Sequence, residues 1–119
     1  MSGSKYFSTK ELACNCCGKA NMDTAFLEQL NILREVWGKP LTLTSAFRCP
    51  EHNAKVGGAA GSQHVLGKAV DIDWATWSGS DRFAFLQLAM ERFNGIGLHP
   101  LFIHIDSRQQ KTTFFYGKK

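Results

Sequence analysis

Between residues 68 and 74 the chain reads KAVDIDW, and this alternation of apolar and acidic residues constrains the fold more than any other segment. A period of two is the signature of a strand, in which successive side chains face opposite ways. Val70 and Ile72 then lie on one face, and Asp71 and Asp73 on the other. Apolar side chains gain from burial, whereas an unpaired carboxylate in a core is costly. This strand should therefore carry a core on one side and a site on the other. The pattern returns in LFIHID at 101–106, where Ile103 and Ile105 oppose Phe102, His104 and Asp106. If the two strands are neighbours, Asp71 and His104 share the polar face.

The remaining elements follow from periodicity and capping signals. FSTKEL at 7–12 reads as a helix start, with Ser8 as cap and Glu11 completing a capping box. Over 21–37, Phe26, Leu27, Leu30, Leu33 and Trp37 recur at helical spacing, and Gly38 and Pro40 end the run. LTLTSAF at 41–47 reads as a strand. The polar, glycine-rich stretch over 48–64 has no clean period and reads as a long functional loop, or a short helix plus loop. Asp81 is expected to cap a helix over 82–93 that buries Phe83, Leu86, Met90 and Phe93. GIG at 95–97 reads as a turn and TTFFYG at 112–117 as a last strand, with Phe114, Phe115 and Tyr116 in the core. The fold class expected is α+β, a small antiparallel sheet with two main helices packed on one side. At 119 residues, without repeats or linkers, the chain is expected to form one domain, 1–119.

Composition removes several classes of function. No apolar run approaches the ~20 residues that a membrane-spanning helix needs. The opening MSGSKYFSTKE lacks the apolar core of a secretory signal, which leaves a mature form, another export route or a cytosolic protein. The net charge is +4, but the basic residues are scattered and only Lys118 and Lys119 touch. Nucleic-acid binding is therefore not expected, and a mild positive excess suits steering toward an anionic polymer.

Cysteines stand at 14, 16, 17 and 49. The CNCCG cluster could close disulfides or contribute to a small metal site. No second C-x-x-C or H-x-H follows it, so the expectation is one or two disulfides, or reduced thiols, tying the N-terminal turn to Cys49. Cys49 precedes Pro50 and has no evident paired base, which argues against a thiol hydrolase. Ser62 has no G-x-S-x-G context and should shape its loop through backbone hydrogen bonds rather than attack a substrate. His52 reads as a loop residue, and Asp73 and Trp74 as groove, capping or core residues.

His64 precedes Asp71 by seven residues, with little bulk at Gly67 and Ala69 between them. Brought together with His104, they make two imidazoles and one carboxylate, which leave an open fourth position in a catalytic zinc pattern. The segment S-x-H-x-x-G-x-A-x-D, filled by Ser62, His64, Gly67, Ala69 and Asp71, resembles the signature of the zinc D-Ala-D-Ala peptidase superfamily. That group includes VanX- and VanY-type enzymes, phage L-alanyl-D-glutamate endolysins and the hedgehog signalling domain fold. TSAFRCPEHN at 44–53 resembles its S-x-x-R-x-x-x-x-N segment, and GIGLHPLFIHID at 95–106 its final histidine block. The three segments run in the family's order and span about half the chain.

The resemblance implies a hedgehog/DD-peptidase-like fold with His64, Asp71 and His104 as zinc ligands. Arg48 would hold a substrate carboxylate or carbonyl, for which a guanidinium fork is well shaped. The reaction implied is amide hydrolysis in peptidoglycan stem peptides or muropeptides, by a carboxypeptidase or an endolysin-type endopeptidase. Zinc would polarise the scissile carbonyl and lower the pKa of its bound water towards about 7. Many members carry an acidic base three residues before the last histidine ligand, where this chain has Leu101. Asp106 is the favoured substitute, with a role in orienting a ligand as its alternative, and His99 in the preceding turn is the second choice. A non-catalytic, zinc-stabilised module that binds wall peptide is the other reading. With the resemblance, the size and missing signal look most like a phage-encoded lysin or virion peptidase acting as a monomer at the bacterial cell wall, with a bacterial cytosolic dipeptidase as the alternative.

Overall fold

The structure, a computed structural model, describes residues 6–14, 17–55 and 62–116. Among these residues, four helices and five strands follow in the order α1 (Thr9–Leu12), α2 (Thr24–Trp37), β1 (Leu43–Ser45), α3 (Pro50–Lys55), β2 (Ala69–Asp73), α4 (Gly79–Arg92), β3 (Gly95–Leu98), β4 (Phe102–Asp106) and β5 (Thr112–Phe115). α1 is one turn long and begins with the expected reciprocal cap. Ser8 Oγ accepts from the Glu11 N–H at 3.1 Å, and the Ser8 N–H donates to Glu11 Oε1 at 2.9 Å. α2 starts three residues later than the apolar period suggested. The Asp23 carboxylate caps it by accepting from the Phe26 N–H, while the Asp23 N–H is held by the Gly67 carbonyl.

α4 begins earlier than expected, because Ser78 rather than Asp81 caps it. Asp81 instead sits in the first turn, where its charge complements the helix dipole. The buried stripe shifts with this register. Phe85, Ala89 and the C-cap Phe93 enter the core, whereas Phe83 and Met90 are exposed. Phe85 packs edge-on against the Trp37 and Trp77 rings, a cluster that favours this stripe over the other apolar row.

The sheet order is β1-β2-β4-β3-β5. Three pairings are antiparallel, but β3 and β5 pair in parallel, so the α+β fold has a mixed sheet rather than an antiparallel one. The GIG segment is part of strand β3 and not a turn. Its glycines answer to close neighbours, since a Cβ at Gly95 would collide with the Asp106 carboxylate and one at Gly97 with the Phe114 ring. After β4 the chain passes the end of β3, where Asn94 Nδ2 donates to the carbonyls of Arg108 and Gln109. The Thr112 N–H then donates to the Asn94 carbonyl, which starts β5 on the outer edge of β3. Val70, Ile72, Ile96, Ile103 and Ile105 share one apolar cluster with Phe26, Leu30 and Leu33 of α2 and Phe85 of α4.

β1 is shorter than its apolar pattern because its register with β2 breaks between Leu43 and Ser45. The chain beyond Ser45 pairs with other loops: the Phe47 N–H donates to the Leu12 carbonyl and the Arg48 N–H to the His64 carbonyl. The predicted short helix in the polar stretch is α3. Cys14, Cys17 and Cys49 are free thiols, with Cys14 and Cys49 Sγ 3.7 Å apart, so the tie expected between the N-terminal turn and Cys49 is not a disulfide here. Cys16 lies outside the described residues.

Gly67 holds the loop that presents His64. Its φ is +72°, and a Cβ there would collide with the Asn21 carbonyl oxygen. Gly67→Ala should therefore lower folding stability by about 2–4 kcal/mol, combining left-handed strain with a backbone clash. Denaturant unfolding measures this directly, and a loss well under 1 kcal/mol would mean that the loop relaxes freely.

Candidate metal centre

The centre is built on the polar face of two paired strands. Asp71 on β2 lies directly opposite His104 on β4, and His104 in turn lies opposite Gly97 on β3. Asp106 has Ala69 on one side and Gly95 on the other. Small residues thus lie on both sides of Asp106 and on the β3 side of His104, leaving the space their side chains occupy. His64 arrives from the turn before β2, where Ser62 Oγ accepts from the His64 N–H at 3.1 Å, the backbone-shaping role expected of that serine.

The hydrogen bonds around the two imidazoles determine where their lone pairs point. His64 Nδ1 lies 2.7 Å from the Ala46 carbonyl oxygen, which can only accept. In the neutral ring Nδ1 therefore carries the proton and Nε2 keeps its lone pair. That Nε2 is buried without a hydrogen-bond partner, 3.3 Å from Asp71 Oδ1. His104 Nε2 donates to Asp106 Oδ2 at 2.6 Å, and its Nδ1 faces the same Asp71 Oδ1 at 2.9 Å. When His104 is neutral, three lone pairs converge on one point. A cation resolves that arrangement, either a proton on one of the two imidazoles or a metal ion. The three ligand atoms all lie within 4.8 Å of one another, and two imidazoles with one carboxylate are a donor set that suits zinc.

The charges around this point are strongly coupled. Burial alone would raise the Asp71 pKa, but its interactions with His104 and His64 outweigh it and bring it to about 2. Burial would lower His104, yet its bonds to Asp106 and Asp71 raise it. Asp106 is completely buried. Hydrogen bonds from Arg108 and His104 overcome the cost of that burial and hold its pKa well below the usual carboxylate range. Arg108 grips both carboxylate oxygens, donating from Nε to Oδ1 at 2.9 Å and from Nη2 to Oδ2 at 2.6 Å. Arg48 Nη2 lies 3.7 Å from Asp71 Oδ2, while its Nη1 donates to Asn53 Oδ1 at 3.1 Å.

The other residues singled out in the sequence lie around this centre. His99 is half-buried, accepts from the Leu101 N–H at Nδ1, and stacks on Phe102 with ring centroids 4.4 Å apart. Leu101 itself is exposed. Asp73 Oδ1 accepts from the Ala75 N–H at the end of β2, and Trp74 Nε1 donates to the His99 carbonyl. His52 lies on α3, outside the ligand cluster. Tyr116 was expected in the core, but it borders the site, 6.5 Å from His104 between ring centroids. Burial pushes its phenol pKa up and the Asp71 charge adds to this, so it stays protonated. Phe115, also expected inside, is largely exposed. A mostly apolar hollow of about 360 Å³ extends past Tyr116 and His99 to Trp74, Leu98 and Phe83.

Arg108 carries a part of this geometry that the sequence reading did not assign, while Asn53 entered it only as a motif position and Tyr116 as a core residue. Arg108 left one signal: a carboxylate at the end of a buried strand needs a cation nearby, and Arg108 follows Asp106 by two residues.

Two imidazole nitrogens and a carboxylate oxygen, converging on one buried point of an α+β fold, define a candidate metal centre of the hydrolase type. The chain matches the Peptidase M15 family model over residues 5–106 and belongs to that family of zinc-dependent metallopeptidases. No curated protein matches it significantly. Among the described residues, no helix is long and apolar enough to cross a membrane.

The shifts predict how the metal-free protein responds to pH. His104 is raised, so its contribution is complete below its unfolded value of about 6.5 and is lost as pH rises through the folded value. Asp71 is lowered, so its contribution is present above its unfolded value of about 4 and is lost as pH falls toward the folded one. Chelated protein should therefore be most stable between about pH 4 and 6.5, and zinc should raise its melting temperature most at higher pH, where protons no longer compete. Thermal melts with chelator and with excess zinc read both effects. A chelated profile that stays flat from about pH 5 to 8 would contradict the coupling.

Proposed function

We propose that this chain is a zinc peptidase that hydrolyses peptide bonds in bacterial peptidoglycan stem peptides, as a carboxypeptidase on a D-Ala terminus or as an endopeptidase. The observation that carries the reading is the buried, unpartnered His64 Nε2 aimed at Asp71 Oδ1 beside His104 Nδ1. A buried lone pair facing a carboxylate is costly unless a cation lies between them. His64, Asp71 and His104 would hold the zinc, which when bound polarises a carbonyl and makes water acidic enough to attack it.

The chain's own groups divide the remaining work. Arg48 is fixed by Asn53, and its charge sits beside the ligand carboxylate, which suits an anchor for the carboxylate or carbonyl of a bound peptide. Asp106 fixes the His104 ring through Nε2, and with Arg108 on both its oxygens it acts as a positioning residue rather than as the base. His99 accepts at Nδ1, which leaves Nε2–H in the neutral ring and suits a hydrogen-bond donor to substrate. Tyr116 offers a phenol that stays protonated on the same wall.

The test is incubation of the zinc-loaded protein with purified peptidoglycan and with a stem peptide ending in D-Ala-D-Ala, products being read by mass spectrometry beside His64→Ala. Cleavage by the wild type alone names the bond and supports the peptidase. Wall binding without any product would favour the non-catalytic binding module, the reading that the exposed Leu101 supports at a position often acidic in related enzymes. Arg48→Lys should lower kcat/KM by roughly 10- to 100-fold with bound zinc unchanged, because an ammonium cannot reproduce the fork. An unaltered kcat/KM would remove Arg48 from substrate binding.

A further inference from the structure

We infer that Cys14, Cys17 and Cys49 form a second zinc site, structural in role, that pins the N-terminal turn to the chain entering α3. Their three sulfurs all lie within 4.8 Å of one another, with Cys14 and Cys49 buried and Cys17 at the surface. The Cys14 and Cys49 sulfurs are 3.7 Å apart, far beyond the ~2.05 Å of a disulfide. Two thiolates each ~2.3 Å from a tetrahedral zinc stand about 3.8 Å apart, which this separation matches.

The backbone supports anionic sulfur at both buried positions. The Cys49 N–H donates to Cys14 Sγ and the His52 N–H to Cys49 Sγ, each at 3.4 Å. Such donors stabilise a thiolate and orient it toward a metal. The turn is shaped accordingly. Cys14 and Cys17 have the C-x-x-C spacing, and Gly18 follows them with φ at +75°. The Gly18 N–H bonds the Cys14 carbonyl at 2.9 Å, and the Cys14 N–H bonds the Lys19 carbonyl at 2.7 Å, closing the loop on itself.

The fold also gives such a site a task. α1 is only four residues long, too short to hold itself, yet it carries the buried Leu12 and follows the buried Phe7. A metal bridge between Cys14 and Cys49 spans 35 residues of chain and fixes this segment against the core. It also anchors the backbone beside Arg48.

The site can be read without any peptidase assay. In a His64→Ala/His104→Ala background, purified under reducing conditions, elemental analysis should still find one zinc per chain. Titration of that variant with Co²⁺ should give a near-ultraviolet sulfur-to-cobalt charge-transfer band, which imidazole and carboxylate ligands cannot produce. Adding Cys17→Ser should abolish the band and the remaining zinc. If that variant does not fold, the cobalt spectrum of the background with its cysteines intact still decides. A colourless cobalt complex, or zinc absent from the background variant, would overturn the assignment. A non-reducing peptide map linking Cys14 to Cys49 in freshly purified protein would also overturn it, replacing the metal with a disulfide.

Discussion

Asp71→Asn should remove zinc from the His64/His104 centre and lower peptide hydrolysis by at least about a thousandfold, roughly 4 kcal/mol of transition-state stabilisation. The substitution keeps the side-chain shape, so the sheet should remain intact. What changes is charge. The Asp71 carboxylate is the one anion that His64, His104 and Arg48 share, at 3.3, 2.9 and 3.7 Å. Without it, a divalent ion would meet two neutral imidazoles and an uncompensated guanidinium, whose repulsion is severe at short range in a buried site. Elemental analysis, circular dichroism and peptide cleavage on the same preparation test this. A variant that keeps both metal and hydrolysis would exclude Asp71 from the ligands.

The second large effect is expected at Asp106, 0% exposed and on the polar face of β4. Asp106→Asn would leave Arg108 without its anionic partner and could return its amide N–H₂ toward the His104 Nε2–H that now donates to it. Zinc affinity should fall about 10- to 100-fold, the usual consequence of freeing a ligating histidine. Folding stability should fall by roughly 2–4 kcal/mol, below the full cost of breaking a buried pair because Arg108 is 30% exposed. Competition against a chelator gives the affinity, and denaturant unfolding gives the stability. The positioning role requires much of the activity to return at saturating zinc. A kcat loss that persists at saturating zinc, with affinity unchanged, would instead make Asp106 the base.

Much of this centre could be read from local pattern. Strand alternation is a property of neighbouring residues, so KAVDIDW and LFIHID were enough to separate Val70, Ile72, Ile103 and Ile105 from Asp71, His104 and Asp106. The Ser8 capping box was equally local, as was the glycine stop of α2. The start of α4 and its buried face were less legible, because Ser78 and Asp81 are both good capping residues and two apolar rows run along the helix. Packing against Trp37 and Trp77 favoured the row containing Phe85. Strand β3 was missed because its glycines look like turn residues, although they serve the close approach of Asp106 and Phe114.

By itself, then, the sequence determined which residues could face a core, which could face a site, and the resemblance of three segments to a peptidase family whose model the chain matches. These are matters of period, spacing and residue type. Tertiary structure alone decided the parallel edge strand, the Arg108 grip on Asp106, and the aromatic wall of His99 and Tyr116. Each of these depends on segments brought together by packing or by a turn, and side-chain periodicity carries no record of where a chain will meet itself.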